Sequence, residues 1–490
     1  VTHISWVFLT DHDVWKLKRP VDYGFVDYTT LERRRHFCHE EVRVNRRLAA
    51  DVYLDVVPVR LDNGRYSFTS KGPVVDYAVR MRRLADSASA EHLLRHGGLT
   101  DAHLGRLAER LAAFYAASPP QPVSLDVLRV NVEENFVQAQ PFAGRFVPPA
   151  TFEAVKAWQL SYLAREAKTF DARREAGRIR DGHGDLRLEH VYFEDNRIVV
   201  IDAIEFNDRF RIGDVAADIA FLAMELDARG RSDLASTFVA DVARECGDYD
   251  LYAVIDFYLS YRAWVRAKVA GFLAVDPTTE PDKARRKATE AERLFALAHR
   301  YSEPVLDPGP VVAVGGLIGA GKSTLAGALG RRLGVPVVDT DRARKALAGV
   351  AAATRASDDA YTDAFTRRTY DEVFRRADVV LRSGRGVVLD ASFRDRDARM
   401  RARELARRHG RAFRFVEATC DDVTLRARLR AREATGGSVS DATEALLDRF
   451  RREFRPVTEL PPEEHLPIDT TAPIAAQVAA VWPRLRSARG

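Results

Sequence analysis

The residues Gly316-Leu317-Ile318-Gly319-Ala320-Gly321-Lys322-Ser323 carry the clearest chemical signal in the chain. They fit the pattern GxxxxGK[ST], with an apolar run before and an amphipathic helical pattern after, the setting in which this pattern cradles phosphate. The glycines let backbone N–H groups turn inward around phosphate oxygens. The helix that follows adds partial positive charge at its N-terminus. Lys322 then reaches the β- and γ-phosphates of a nucleoside triphosphate, Ser323 ligates Mg²⁺, and Thr324 completes the nucleotide-contacting run. ATP and Mg²⁺ are the cofactors this loop implies.

Three further groups in the same region suit phosphoryl transfer. Asp339-Thr340-Asp341-Arg342-Ala343-Arg344 follows an apolar strand. Asp341 can take the proton of an acceptor hydroxyl, and Arg344, three residues on, can hold an anionic group of the acceptor. The competing reading makes Asp341 a helix N-cap and Arg344 a solvated side chain. Asp390 ends the apolar run Val387-Val388-Leu389 and suits a carboxylate acting on Mg²⁺ through water. Arg428 and Arg432 lie one helical turn apart, before Gly436-Gly437 and Ser440-Asp441-Ala442. They can form a lid over transferred phosphate, or belong to a solvated basic face.

A second constellation lies upstream. Gly182-His183-Gly184-Asp185-Leu186-Arg187-Leu188-Glu189-His190 leads into Val191-Tyr192-Phe193, and Ile198-Val199-Val200-Ile201 ends on Asp202. Two carboxylates at the ends of a loop and a strand meet the needs of phosphoryl transfer, one as base and one at a metal ion. His183 is expected to hydrogen-bond backbone around this loop.

These groups need scaffolds, and the chain supplies two. Ser302-Glu303-Pro304-Val305-Leu306-Asp307-Pro308-Gly309-Pro310 holds three prolines and a glycine and reads as a linker. Before it, residues 1–301 begin with a hairpin, Trp6–Leu9 and Val14–Lys18. A helix over Thr30–Leu48 follows, then strands Val52–Val59 and Arg65–Phe68 around Asn63-Gly64, and a strand at Val74–Arg80. From Ala90 onward helices dominate, ending with Pro281–Tyr301. Beyond the linker, residues 311–490 alternate. Strands are expected at Val311–Val314, Pro336–Asp339, Gly386–Asp390 and Ala412–Ala418. Helices are expected at Lys322–Leu333, Thr362–Arg382, Asp395–His409, Val423–Arg432 and Ala442–Phe454. That alternation is a parallel α/β sheet with crossover helices. No internal repeat or low-complexity tail is visible.

Composition narrows the classes. Of 490 residues 46% are hydrophobic and 30% charged, which supports packed cores and excludes pervasive disorder. The longest uninterrupted apolar run, Leu111 to Ala117, is far short of the ~20 residues of a membrane span. No signal peptide is visible at the N-terminus. Cys38, Cys246 and Cys420 are scattered, which argues against a disulfide framework or zinc cluster and for a cytoplasmic location. The net charge of +5 would invite nucleic acid, but ten lysines against 66 arginines point to G+C-rich codon usage. The Arg394–Arg414 run reads as a solvated helix face rather than an RNA site, and Cys420 as packing.

The second constellation resembles the aminoglycoside-phosphotransferase-like kinases. The resemblance makes Asp185 the base, Asp202 a metal ligand, and His190, five residues after the base, the second ligand. An imidazole can ligate a metal, although Mg²⁺ prefers oxygen. It makes Lys16 the lysine at the α/β-phosphates and Glu41 its helix partner, with Lys18 and Glu40 as rivals. Asp214 and Asp218 become structural residues buttressing the loop. A kinase small lobe also carries a strand before the Trp6–Leu9 strand, so a strand is expected ahead of Val1. The region from Pro310 resembles small P-loop kinases of the adenylate/gluconate-kinase type, nearest to the group containing polynucleotide 5′-kinases and zeta toxins. The pairing resembles a bacterial family of bifunctional, AAA-type ATP-binding proteins, and Asn135-Phe136, Arg180–Asp185 and Ile204–Asn207 look like its segments. The expected fold is an α+β protein-kinase-like domain followed by an α/β P-loop domain. The expected function is ATP-Mg²⁺-dependent transfer of phosphate to an alcohol group of a small hydroxyl or amino-sugar acceptor. The alternatives are an ATP-hydrolysing regulator with a non-catalytic kinase-like module, or a polynucleotide 5′-kinase. The expected partner is a small-molecule acceptor, with nucleic acid not favoured and no membrane.

Overall fold

Asn63 and Gly64 both adopt positive φ, 48° and 75°, as a two-residue hairpin between right-twisted strands requires. The computed structural model describes residues 4–24, 26–305, 308–352, 354–435, 439, 441 and 443–486. They form two compact units, residues 1–235 with 254–302, and residues 236–253 with 303–490.

In the first unit, β1 (Ser5–Leu9) and β2 (Asp13–Lys18) form an antiparallel hairpin. Helix α1 (Leu31–Ala49) is capped by Thr30, whose hydroxyl accepts from the Arg33 N–H at 3.3 Å. Strands β3 (Tyr53–Asp62), β4 (Arg65–Ser67) and β5 (Val74–Arg82) complete a five-stranded sheet of order β1-β2-β5-β3-β4. Cys38, Val42 and Ala49 of α1 pack on Tyr53, Val79 and Met81 of this sheet. Helices α2 (Ala90–Arg95), α3 (Asp101–Ala117), α4 (Leu125–Ala139), α5 (Pro149–Arg165) and α6 (Ala167–Glu175) follow. Then come β6 (Ile179–Asp181), β7 (Val191–Glu194), β8 (Arg197–Val200), α7 (Asp208–Arg211), β9 (Ile212–Asp214) and α8 (Val215–Ala228). Helix α9 (Ser232–Glu245) belongs to this unit only as far as Ala235, and α10 (Ile255–Val275) and α11 (Pro281–Arg300) complete the unit. The helical part is organised around fully buried Trp264 of α10, whose ring meets Phe136, Phe152 and Phe295. Arg173 and Asp214, both buried, make a bidentate pair with both bonds at 2.7 Å. Asp214 also caps α8 through the Ala216 N–H.

The second unit is built on β10 (Val311–Gly316), α12 (Lys322–Leu333), β11 (Val337–Asp339), α13 (Thr340–Leu347), α14 (Asp363–Arg382), β12 (Val387–Asp390) and α15 (Arg396–Arg408). It continues with β13 (Phe413–Thr419), α16 (Asp422–Thr435), α17 (Leu447–Glu453), β14 (His465–Asp469) and α18 (Ile474–Arg486). The five strands are all parallel, in the order β11-β12-β10-β13-β14. β10 and β12 are buried throughout, which explains their unbroken apolar sequences. β14 and α18 were not expected from the sequence, and α17 is shorter than the expected Ala442–Phe454 helix. Ala442 itself, like Leu306 and Asp307 of the linker, lies outside the described residues. The unit also takes in Ser236–Ala253. There Tyr249 donates to the Val337 carbonyl at 2.6 Å, and Glu245 receives both terminal nitrogens of Arg342 at 3.0 Å. Among the described residues no helix is long and apolar enough to cross a membrane.

Removing one partner of a buried ion pair strands the other charge in a medium that solvates it poorly. Asp214→Ala is therefore expected to destabilise the kinase-like unit by about 3–5 kcal/mol in urea denaturation; a loss below about 1 kcal/mol would contradict a buried pair there.

Candidate active sites

In the parallel sheet the phosphate loop leaves the C-terminal end of β10 and enters α12. Gly316, Gly319 and Gly321 have φ of 133°, 78° and 83°, a region that L side chains disfavour. At Gly316 a Cβ would stand 2.3 Å from the Ala418 carbonyl oxygen. At Gly319 it would stand 3.1 Å from the Leu425 carbonyl oxygen. Leu317 and Ile318 pack on the cluster holding Leu425, Leu429 and Leu447, so the loop's apolar residues anchor it from behind. Lys322 donates to the Leu317 carbonyl at 2.8 Å. Its burial lowers its pKa, opposed by the charges of Asp390 and Asp341. Ser323 and Thr324 are exposed in the first turn of α12.

Asp390 is buried at the end of β12 and hydrogen-bonds Ser323. Burial pushes its carboxyl up to about 7, against the pull of Ser323 and Lys322. A carboxylate and a hydroxyl together at a phosphate loop are hard oxygen donors, the set that Mg²⁺ accepts. The N-cap of α13 is Asp339, which accepts from the Arg342 N–H at 2.7 Å, so Asp341 is not needed as the cap and sits in the first turn. Arg344 is not solvated. It is buried, donates to the Ala360 carbonyl and to Thr366, and lies over the Tyr361 ring. Burial lowers its pKa, with Asp341 the first charge opposing that.

The arginines of α16 divide between two faces. Arg426 and Arg430 are tied to Asp422, Glu444 and Asp448. Arg428 instead donates to the Thr470 hydroxyl and carbonyl at 3.1 and 2.6 Å, and its Nη1 would stand 3.3 Å from a Cβ at Gly321. Arg432 is among the charges felt by Lys322. Of the expected pair, Arg428 therefore lies against the phosphate loop, and Arg432 acts on Lys322 through its charge. Gly436, Gly437, Ser440 and Ala442, which follow this pair in the sequence, lie outside the described residues. Thr470 was missed from the sequence. It also donates to the Ala320 carbonyl at 2.7 Å and so ties the loop to the end of β14. Pro467 inside β14 masks the apolar alternation that would have flagged this strand.

In the kinase-like unit Glu41 is fully buried and shared by two lysines. Lys16 meets its Oε1 at 2.8 Å and Lys18 its Oε2 at 2.5 Å. Lys16 continues to Asp202 at 2.6 Å, whereas Lys18 turns to Glu205, which also accepts from Tyr28 at 2.8 Å. Burial works to lower both lysines, but the carboxylates outweigh it and hold both pKa values well above the ordinary range. Glu40 pairs with Arg43 at the surface. Asp202 has φ of 65°, and its N–H donates to the Tyr53 hydroxyl at 3.0 Å. Burial acts to raise its carboxyl, and Lys16 and then His190 more than reverse that, holding it below the ordinary range.

Asp218 receives the N–H groups of His183 and Gly184 at 2.7 and 2.8 Å, which fixes the loop carrying Asp185. His183 is buried against the Ile201 carbonyl at 2.9 Å, and burial pushes its imidazole down to about 4. His190 Nδ1 donates to the Asp185 carbonyl at 2.8 Å, and its Nε2 lies 3.6 Å from an Asp202 carboxylate oxygen. Among the described residues no group of three or more His, Cys, Asp or Glu is arranged to hold a metal ion. Here Asp202 offers oxygen and His190 offers nitrogen, a mixed set that suits Mg²⁺ poorly. Lys16, Asp185, Asp202 and Glu205 all line one cavity of about 960 Å³. Glu205, Tyr53 and Asn45, which accepts from the Ala203 N–H at 2.8 Å, were missed as positioning residues. Only the placement of Glu205 three residues after Asp202 could have signalled it.

A family model described as an AAA domain matches residues 311–457. The chain is 30% identical over 455 residues to the uncharacterized protein Rv2004c of Mycobacterium tuberculosis (strain ATCC 25618 / H37Rv), across 90% of this chain and 87% of that one. Among solved structures, a gluconokinase from Sinorhizobium meliloti 1021 is similar at 23% identity and a TM-score of 0.28, over 37% of this chain and 94% of its own. The GDP complex of aminoglycoside 2′-phosphotransferase-IIIa is similar at 15% identity and a TM-score of 0.38, over 60% of this chain and 90% of its own. The chain belongs to the family of the mycobacterial protein, the bacterial family of aminoglycoside-phosphotransferase-like domains joined to P-loop, AAA-type ATP-binding domains.

Proposed function

We propose that the chain is an ATP-dependent phosphotransferase whose P-loop unit moves the γ-phosphoryl group of ATP to a hydroxyl acceptor. The observation that carries this reading is the glycine-turned phosphate loop between β10 and α12, with Lys322 at its end and buried Asp390 closing the neighbouring strand. In it the acceptor oxygen bonds to the γ-phosphorus, its proton passes to Asp341, the bond to the β-phosphate oxygen breaks, and ADP leaves. Lys322 and the loop amides stabilise the charge that develops on the transferring group. Arg428 and Arg432 act on the same charge from α16, and Arg344 stands within electrostatic reach of Asp341 on the acceptor side. Ser323 and Asp390 would hold Mg²⁺, which neutralises β- and γ-phosphate oxygens when bound.

A second transfer site in the kinase-like unit is supported by the cavity onto which Lys16, Asp185 and Asp202 open. There Asp185 would take the acceptor's proton, and Lys16, held by Glu41 and Asp202, would meet the nucleotide phosphates. No step is assigned to a metal ion at this site. The reading places the protein with a soluble substrate in the cytoplasm.

Transfer from labelled ATP across sugars, nucleosides and 5′-hydroxyl oligonucleotides tests both sites. Lys322→Ala is expected to lower transfer by the P-loop unit at least about 10²-fold. Asp341→Asn is expected to lower it by about 10²–10⁴-fold with ATP affinity little changed; retained transfer would remove Asp341 from the role of base. ATP turnover indifferent to every acceptor would favour the nucleotide-gated regulator, and salt-sensitive phosphorylation of oligonucleotides the 5′-kinase.

Transfer that survives Lys322→Ala and disappears with Asp185→Asn is the signature expected of the second site. Thr470→Val, which removes the hydroxyl between Arg428 and the loop, is expected to weaken ATP binding about tenfold, the worth of a hydrogen bond to a charged group. Calorimetric titration with ATP measures it, and unchanged affinity would show that the loop does not need this tie.

A further inference from the structure

The wall of the large cavity carries many charges, and nearly all are answered within the protein. Glu134 takes a bidentate pair from Arg209 at 2.9 and 2.6 Å. Glu205 and Asp202 are met by Lys18 and Lys16. Lys268 is different. It projects from α10 into the same cavity, and its ammonium donates to the side-chain carbonyl oxygens of Asn135 at 2.5 Å and Gln138 at 2.6 Å, both on α4. Among the described residues it makes no ion pair. Burial lowers its pKa to about 8, with Glu134 the opposing charge, so it remains mostly protonated at neutral pH.

An ammonium held by neutral amides keeps its full attraction for an anion, and a partly buried position screens that attraction weakly. The amides also orient it. Asn135, on α4, is hydrogen-bonded to Tyr261 of α10 as well as to Lys268, so this acceptor is held from both helices. Arg262 and Arg266 line the cavity from the same helix, one turn apart, and add positive potential. An amino sugar in this cavity would bring its ammonium toward a like charge; a carboxylate or phosphate would supply the partner that Lys268 lacks.

We propose that the cavity of the kinase-like unit binds a small hydroxyl-bearing organic oxyanion, with the oxyanion at Lys268 and the hydroxyl toward Asp185. The proposal rests on the phosphotransferase reading of this unit only in naming that molecule the phosphate acceptor. It narrows the acceptor class from hydroxyl or amino sugars to sugar acids, hydroxy acids and sugar phosphates.

The test uses the full chain and reads Lys268 directly. Acylation of Lys268 by an N-hydroxysuccinimide ester is followed by peptide mass spectrometry in the presence of D-gluconate, glucose 6-phosphate, glucose or glucosamine. At least one of the two anions is expected to slow acylation of Lys268 about tenfold at saturation, the effect of one charge-assisted hydrogen bond, with little protection by glucose and none by glucosamine. Gluconate and glucose 6-phosphate separate a carboxylate from a phosphate ligand. Lys268→Gln is expected to weaken binding of the protecting anion by about tenfold in calorimetric titration. Protection by glucosamine equal to that by the anions, or protection by neither anion, overturns the proposal. If an anion protects Lys268 but receives no phosphate from ATP, the oxyanion site stands and the phosphotransferase reading of this unit fails. If Asp185→Asn abolishes transfer and leaves protection intact, both stand.

Discussion

At Gly316 the backbone passes so near β13 that any side chain would collide with the Ala418 carbonyl. The rest of the P-loop unit's chemistry depends on that approach. It sets where β10 ends and the loop begins, and the loop then needs left-handed backbone at Gly319 and Gly321 to turn its amides inward. A parallel sheet does the remaining placement. With β11 and β12 on one side of β10 and β13 and β14 on the other, the strand ends bearing Asp339, Asp390 and the segment before Thr470 arrive along one edge. Brought together there, lysine and carboxylates act on one another: burial lowers Lys322 against the charges of Asp390 and Asp341, and raises Asp390 to about 7 against the pull of Ser323 and Lys322.

The kinase-like unit solves a related problem by different means. Instead of amides from a glycine loop, it relies on one buried carboxylate, Glu41, gripping two lysines on the same face of β2. A charge so deeply buried is tolerated only because it is fully matched. The matching spreads from Glu41 through Lys16 to Asp202 and through Lys18 to Glu205, so the helix, the hairpin and the segment after β8 are held in one register. Asp202 sits in left-handed backbone, with its N–H satisfied by Tyr53. The two sites thus share the elements of phosphoryl-transfer chemistry, cation, carboxylate and anchored loop, on unrelated scaffolds.

Much of this was legible in the residues. The phosphate loop, the loop with Asp185 and the strand ending at Asp202 are short and local, and most of the strands and helices given bounds from hydrophobic periodicity fall within a residue or two of them. Distinctions that depend on three-dimensional neighbours were not legible. Sequence left Glu40 and Glu41 as rivals, and only the turn of α1 sends Glu41 inward and Glu40 to Arg43. It left Arg428 and Arg432 between a lid over phosphate and a solvated basic face, and only the fold shows Arg428 bound to Thr470 beside the loop while Arg426 and Arg430 pair with acids. It left open whether Asp341 is a base or a helix cap, and α13 begins earlier, with Asp339 filling the cap position. Thr470, Tyr53 and Asn45 carry no local signature, since their roles arise from partners far away in the chain.

The membership of Ser236–Ala253 in the P-loop unit bears on how the protein is made. A ribosome delivers this segment before any strand of the parallel sheet exists. The carbonyl that receives the Tyr249 hydroxyl lies 88 residues further on. At about 5–20 residues per second that is a delay on the order of ten seconds. Until then Tyr249 and Glu245 emerge without their final partners, while much of the earlier unit can already condense. The chain passes between its units after Ala235, after Ala253 and after Ser302. A gene cut at the proline-rich segment would therefore separate the P-loop unit from a part of itself, and the two halves of this protein are not interchangeable cassettes.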